Sequence, residues 1–407
     1  MKKYMVQRIC LIWLLTVLPL ALSVAAKKGD DFIERSLQRS VNQYKILAFS
    51  LMNTPGVLPK SLDKNGQVTT STSTWWTSGF FAGTLWYLYE ATKDEELRKM
   101  AEEYTQRVEC EQYTTNNHDV GFMIYCSVGN AHRLFPSKHN ESVLLTAARS
   151  LLTRFRPLNG CIQSWSIEEW NRNCGWQCPV IIDNMMNLEL LMWAYKQSRD
   201  EEFLKISLSH ADITLKNHFR VNNSCYHVIS YDSISGKAHH KGTHQGYSHQ
   251  SAWARGQSWA LYGYTMMYRE TGKTEYLNQA VAIATFMLSH RNLPVDKIPY
   301  WDFDAPDIPH AKRDASAAAI MASALIELST FVKDKKQAKE YLSVARKQLI
   351  NLSSPPYLAD ENTNGGFILK HSVGNMPGGS EVDAPLSYAD YYYVEALLRY
   401  QKKQHTN

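Results

Sequence analysis

Gly79-Phe80-Phe81-Ala82-Gly83-Thr84-Leu85-Trp86-Tyr87-Leu88-Tyr89-Glu90-Ala91 is apolar or small at nearly every position, and it runs directly into the polar turn Thr92-Lys93-Asp94-Glu95-Glu96-Leu97. From Glu95 to about Val108 the apolar residues recur on one face only. A helix that is apolar all round must be buried on every side, whereas one with a single apolar stripe covers a core from outside. The stretch therefore reads as a hairpin of an inner and an outer helix. Counterparts begin near Gly121, Asn184, Gln257, Ala315 and Asp390, and related turns recur at Arg199-Asp200-Glu201-Glu202-Phe203 and Gly272-Lys273-Thr274-Glu275-Tyr276. Self-similarity on this scale signals stacked helical hairpins. Asn187 to Tyr195 and Ser316 to Leu328 have the inner character, and Glu340 to Leu349 the outer. Six hairpins closed into a ring give an all-α, double-layered toroid, with small residues such as Gly79, Gly83 and Ala315 to Ala319 allowing close inner contacts. Strand-like alternation is confined to loops around Tyr226 to Ser230 and Tyr357 to Lys370.

Polar and aromatic clusters stand just before the inner helices: Trp75-Trp76, His118-Asp119, Asp183-Asn184, Trp253 and Arg255, Arg313-Asp314, and Ser387 with Asp390. Parallel inner helices bring all six to one rim, where helix N-termini present free N–H groups and a partial positive charge. Taken singly, Asp183, Asp314 and Asp390 read as helix N-caps; their shared placement points instead to a common site. Asp119 and Asp183 are isolated acids in apolar sequence, and burial or a neighbouring carboxylate raises a carboxyl pKa enough to keep a proton near neutrality. Such a pair beside Trp75, Trp76, Trp253, Trp259 and Trp301 has the logic of a glycosidase, although many of the eleven tryptophans must serve packing alone. From their flanks, Val180-Ile181-Ile182 before Asp183 and the polar Thr114 to Asn117 before His118-Asp119, Asp183 is expected to hold its proton longer and Asp119 to ionise more readily.

The N-terminus carries Lys2, Lys3 and Arg8, then an apolar run from Ile9 to Ala26 ending Ser23-Val24-Ala25-Ala26. This order predicts a signal peptide over 1–26 with cleavage after Ala26 and an exported, periplasmic mature chain of one catalytic domain, 27–407. A membrane anchor is the alternative, but the run is near the lower limit for a span, and no second stretch is long enough. Cysteines at 110, 126, 161, 174, 178 and 225 follow. They are too sparse for a disulfide framework, and Cys174 with Cys178 reads as a disulfide or as buried thiols in preference to zinc. His239, His240, His244 and His249 crowd one loop, which contains Gly242 and Gly246 but no acid; a metal site is not expected there. With no Gly-rich phosphate loop, nucleotide cofactors have no support, and a net charge of +5 without a Lys/Arg run gives no reason to expect nucleic acid.

Several separated blocks are more specific. Trp76-Thr77-Ser78-Gly79-Phe80-Phe81-Ala82-Gly83, His118-Asp119-Val120-Gly121-Phe122, Asp183-Asn184-Met185-Met186-Asn187, Trp253-Ala254-Arg255-Gly256-Gln257-Ser258-Trp259, Pro299 to Phe303, Arg313 to Ala317 and Tyr388 to Tyr392 together resemble the unsaturated glucuronyl hydrolases, glycoside hydrolase family 88. The likeness runs from about residue 32 to 400. It implies an (α/α)6 barrel, Asp183 as catalytic acid/base, Asp119 as the second essential carboxylate, and substrate contacts by Trp76, His118, Asn184, His227, Thr243, Gln245, Trp253, Arg255 and Trp259. The implied substrate is an oligosaccharide ending in a uronic acid with a C4=C5 double bond, the product of a polysaccharide lyase. In that chemistry Asp183 protonates C4 and helps activate water, while Asp119 steadies positive charge and positions the sugar. Arg255, with no acid beside it in sequence, is expected to offer its planar fork to a ligand. The alternatives are an unsaturated rhamnogalacturonyl hydrolase, a silent glycan-binding protein on the same scaffold, and a sugar epimerase, for which paired histidines would be expected at the rim.

Overall fold

Three of the inner-to-outer turns are built on one plan. Tyr89, Tyr195 and Tyr268 each accept at the carbonyl the N–H of the residue four further on, Lys93, Arg199 and Gly272. Those residues are left-handed, with φ of 58°, 60° and 67°. The hydroxyls of Thr92, Ser198 and Thr271 then accept the N–H of the second residue on, Asp94, Asp200 and Lys273. Asp94 and Asp200 in turn cap the outer helix by accepting from Glu96 and Glu202. Glycine adopts the left-handed turn freely, while Lys93 and Arg199 do so at a cost of roughly 1 kcal/mol each.

The computed structural model describes residues 31–405; the segment read as a signal peptide, with its cleavage point after Ala26, lies outside the described residues. In chain order the helices are α1 (Asp31–Leu51), α2 (Ser78–Thr92), α3 (Glu95–Gln106), α4 (Gly121–Gly129, continued by Asn130–Leu134), α5 (Lys138–Leu152), a short α6 (Glu169–Asn173), α7 (Asn184–Ser198), α8 (Glu201–Asn217), α9 (Ala254–Thr271), α10 (Thr274–Ser289), α11 (Ala315–Leu328), α12 (Lys335–Leu352) and α13 (Ser387–His405). The inner ring is α2, α4, α7, α9, α11 and α13; each packs on the next and α13 returns to α2. This is the (α/α)6 barrel. Close contact between inner helices depends on small residues, as expected: a Cβ on Gly79 would lie 2.2 Å from the carbonyl oxygen of Met123, and one on Gly83 2.3 Å from that of Cys126. The first turns of α4 are wound as a π-helix, and the N–H of Phe122 goes to the Asn187 side chain at 2.9 Å.

The sixth hairpin differs from the sequence reading. The inner helix that begins near Asp390 is not followed by an outer partner among the described residues; α1, from the other end of the chain, takes that place. Gln43 donates to the carbonyls of Thr363 and Phe367, and the Tyr44 hydroxyl donates to Asp390 at 3.2 Å. Ring closure makes neighbours of segments that share no sequence signal.

Among the described residues, strands occur only in the links that lead into inner helices. β1 (Leu58–Leu62) pairs with β2 (Val68–Ser71), and β3 (Phe155–Arg156) with β4 (Cys161–Ile162). β5 (Cys178–Ile181), β6 (Val228–Tyr231) and β7 (Ala238–Gly242) form one antiparallel sheet, and β8 (Ser372–Asn375) pairs with β9 (Ser380–Ala384). The strand expected around Tyr226 to Ser230 is β6. Residues 357–370 instead hold a single bridge, Leu358 to Leu369, because Asn364, Gly365 and Gly366 all take positive φ. All six cysteines among the described residues are free thiols: Cys174 is exposed, and buried Cys178 accepts from Asn159 at 3.1 Å. No helix among the described residues is long and apolar enough to cross a membrane.

At the end of the barrel away from these links, Arg269 and Arg399 bind a group of acids. Arg269 pairs with Glu189, Glu270 and Glu327, and Arg399 with Glu327 and Glu395.

Candidate active site

The inner helices begin at one mouth, and there the acids take different employment. Asp314 caps α11, accepting from the N–H groups of Ser316 and Ala317. Asp390 accepts from the backbone of Ile368 and Leu369 and from Tyr44. Both are structural. Asp183, at the N-cap position of α7, makes no capping hydrogen bond, and its Oδ2 has no partner. The Asp119 carboxylate has His118 Nε2 at 3.5 Å, beyond a good hydrogen bond. These two underemployed carboxylates share one cavity of about 380 Å³, walled also by Trp75, Trp76, Asn117, Trp165, Trp170, Gln245, Asn375, Glu381 and Tyr388.

Burial is the main force on both acids. It raises Asp119 to about 8, with repulsion from Asp183 adding to the rise and Arg154 opposing it. Asp183 is raised to about 7; the charge of Arg255, its own backbone N–H and the Trp259 indole N–H hold it lower. Both acids are raised by burial and repulsion between them adds to the rise, so they titrate as a coupled pair, with Arg154 and Arg255, both distant in sequence, opposing the shift. Near neutrality the pair retains a proton.

Two neutral histidines stand behind the acids. Burial pushes His118 down to about 3 and His227 well below its ordinary value. The Nδ1 of His227 accepts from the N–H groups of His244 and Gln245, at 3.2 and 3.3 Å. A neutral ring that accepts at Nδ1 carries its hydrogen on Nε2, and Nε2 faces Oδ2 of Asp183 at 3.6 Å. Trp253 stacks on His227 with ring centroids 4.5 Å apart, and the Arg255 guanidinium lies 4.4 Å from the Trp253 ring. Asn184 donates to the Ile162 carbonyl at 2.8 Å and borders His118.

Of the residues expected to touch substrate, Trp76 and Gln245 line the cavity with the two aspartates. His118, Asn184, His227, Trp253 and Trp259 are buried one layer behind. Thr243 shapes its loop, accepting from the N–H of Gly246. Arg255 is not the unpaired fork that sequence suggested. It is 1% exposed, lies 3.5 Å from Asp314, donates to the carbonyls of Val373 and Gly374, and reaches Gln245 Oε1 at 3.3 Å. Trp301 is 6% exposed and packs at right angles to Tyr247, away from the cavity.

The sequence reading missed Trp165 and Trp170, which with Trp176 enclose His244 at centroid distances of 5.6, 5.1 and 6.0 Å. The available signal was three tryptophans within residues 165–176 of a link with no helical period. The other loop histidines are divided among separate contacts: His239 meets Ser230 at 3.0 Å, and His240 packs on His249. Among the described residues no group of three or more His, Cys, Asp or Glu side chains is placed to hold a metal ion.

An (α/α)6 barrel with two buried acids in a tryptophan-walled cavity defines a carbohydrate-processing enzyme. Comparison with known proteins narrows the class. Residues 57–406 match the model of Glycosyl Hydrolase Family 88. An unsaturated glucuronyl hydrolase of Formosa agariphila is 47% identical over 327 residues, 80% of each chain. One from Bacillus sp. strain GL1 is 32% identical over 349 residues, 84% of this chain and 91% of its own. A crystal structure of an unsaturated glucuronyl hydrolase specific for heparin superposes with a TM-score of 0.88 at 46% identity, covering 93% of this chain and 99% of that one. The chain belongs to glycoside hydrolase family 88, the unsaturated glucuronyl hydrolases.

Proposed function

We propose that this enzyme removes the unsaturated uronic acid from the non-reducing end of lyase-generated glycosaminoglycan oligosaccharides, with Asp183 as acid/base and Asp119 as its partner. The observation that carries the assignment is the pair of carboxylates left without strong hydrogen-bond partners in one cavity, while Asp314 and Asp390 at the same rim are fully engaged. The best proton carrier for general acid and base work has a pKa near the working pH, and Asp183, at about 7, fits that requirement.

The C4=C5 bond of the substrate is an enol ether. Asp183 gives its proton to C4, and the positive charge left at C5 is shared with the ring oxygen. Water adds at C5 and passes a proton back to Asp183. The resulting hemiketal opens to a ketone, and the freed hemiacetal at C1 releases the remaining sugar. Asp119, in the same cavity, shares the pair's proton with Asp183, positions the sugar and steadies the positive charge that develops at C5. The Nε2–H of His227 faces the same Asp183 oxygen and steadies it. Trp76, Trp165 and Trp170 supply flat apolar walls for sugar rings.

The test is incubation with a panel of unsaturated disaccharides, followed by loss of the ultraviolet absorbance of the conjugated bond. Saturated glucuronides lack the accepting alkene carbon and should not be cleaved; efficient release of an aglycone from one would refute hydration. The same proposal extends to export: residues 1–26 act as a signal peptide and 27–407 form one catalytic domain in the periplasm. N-terminal sequencing of the secreted protein should begin at Lys27.

A further inference from the structure

The lining of the catalytic cavity contains acids but no lysine or arginine. Two cations act on those acids from behind. Arg255 acts on Asp183 and has a carboxylate partner of its own, Asp314, at 3.5 Å. Arg154 acts on Asp119 and is placed differently. It follows α5, is 3% exposed, and gives its hydrogen bonds to neutral oxygens: the carbonyls of Gln163 at 2.9 Å, Thr115 at 3.0 Å and Ser164 at 3.3 Å, and the Ser166 hydroxyl at 3.1 Å. The ionisable groups that act on its charge are Arg156, Cys178 and Asp119, so Asp119 is the carboxylate among them. A guanidinium buried without a bound acid is costly, and its surroundings show what it holds.

The strip that Arg154 grips, residues 162–166, joins both halves of the site. On one side the Ser164 carbonyl also accepts the N–H of His118 at 3.2 Å, and Trp165 forms a bridge with Asn117. On the other, Ser164 Oγ accepts the N–H of Ile181 at 2.9 Å, and the Ile162 carbonyl accepts from Asn184 at 2.8 Å. Thr115 belongs to the approach to Asp119. One side chain therefore ties the Asp119 turn to the strip that holds Asp183 and carries Trp165. We propose that Arg154 is a positioning residue for the reaction: it fixes the two carboxylates relative to each other and directs at them, from outside the cavity, a positive charge that no bound acid neutralises. A neutral amide supplies some of the same hydrogen bonds. Only a cation also favours the ionised state of an acid pair against which burial and mutual repulsion work. Arg154 is not part of the cavity lining, so it acts through the acids and not on substrate.

This inference rests on the reading of Asp119 and Asp183 as the reacting pair, and the experiment separates the two. The pH profiles of kcat and KM on an unsaturated disaccharide are measured for wild type, Arg154→Gln and Arg154→Lys, with thermal midpoints to check folding. Arg154→Gln keeps a donor but no charge, and it should move the alkaline limb of kcat/KM upward by roughly one pH unit, because losing a cation raises the pKa of neighbouring carboxyls. The other charged or titratable groups around the pair, Arg255, His118, His227, His244, Cys225, Tyr388 and Glu381, are the same in every variant. Arg154→Lys keeps the charge and loses the planar fork. Its alkaline limb should stay in place while kcat falls by roughly tenfold or more and KM changes little, as expected when reacting groups are held slightly out of place. An unmoved limb in folded Arg154→Gln, or a limb that moves equally in both variants, overturns the proposal. If Arg154→Gln does not fold, Arg154→Lys decides: wild-type kcat there overturns the proposal as well. Failure of wild type to cleave the disaccharide, or wild-type turnover in Asp183→Asn, overturns the assignment of the carboxylates and this inference with it.

Discussion

Asp119→Asn should become more stabilising as the pH rises, even as it removes activity. The Asp119 carboxyl is 13% exposed and sits near 8 in the folded protein, against an ordinary 3.8. Its folded pKa is therefore above its unfolded one. Between about pH 4 and 8 the unfolded chain has released a proton that the folded protein still holds, so wild-type stability falls with rising pH and levels off above about 8. Each unit costs about 1.4 kcal/mol, so between about pH 5.5 and 7.5 the wild type should lose about 3 kcal/mol that asparagine, which does not titrate, retains. Asp183 titrates in both proteins, and because repulsion couples the two acids its own pKa falls when Asp119 is replaced, so the difference reports the pair. Urea unfolding of the two proteins at these two pH values measures the change. A stability difference that stays constant with pH would show Asp119 ionised in the fold and would refute its raised pKa.

Three other outcomes follow from the same geometry. Asp183→Asn should lower turnover by roughly 10²–10⁴-fold while substrate still binds; the loss of kcat/KM as pH rises through about 7, where Asp183 gives up its proton, should persist in Asp119→Asn and disappear from the residual activity of Asp183→Asn. Arg255→Lys cannot serve the carbonyls of Val373 and Gly374 together; it should raise KM more than it lowers kcat and should also lower the thermal midpoint, whereas a change in kcat alone would mean that the hairpin stays in place. Glu327→Ala, far from the mouth, removes the partner shared by Arg269 and Arg399, which keep Glu189, Glu270 and Glu395; it should cost about 1–3 kcal/mol in urea unfolding, with kcat/KM on an unsaturated disaccharide unchanged for the protein that remains folded.

The barrel was legible because its repeat is written locally. Inner helices are apolar all round, and the turns after Tyr89, Tyr195 and Tyr268 carry the same hydroxyl and capping positions. The two aspartates were legible for a similar reason, as lone acids in apolar surroundings. What could not be read depends on contacts that sequence distance conceals. Arg255 meets Asp314 and Val373 at separations of 59 and 118 residues, so it looked unpaired. The carboxyl shifts are opposed by Arg154 and Arg255, neither of which flanks the acid it acts on. Trp165 sits in an irregular link and Trp170 in the short α6, too brief to leave a periodic trace.

The placing of α1 beside α13 also bears on how the molecule is made. Tyr44 and Asp390, which join them, are 346 residues apart, so the last bond of the ring cannot form until nearly the whole chain is present. A chain that ends before Ser387 has five inner helices, an open flank where α2 and α11 should meet α13, and no Tyr388 in the cavity wall. Contacts this remote are slow to form and leave apolar surface uncovered while they wait. The α1–α13 bond is thus among the last to form, although α1 can already pack on α2 and α3 through Tyr44 and Ala48, and the catalytic mouth is completed only when Tyr388 is in place.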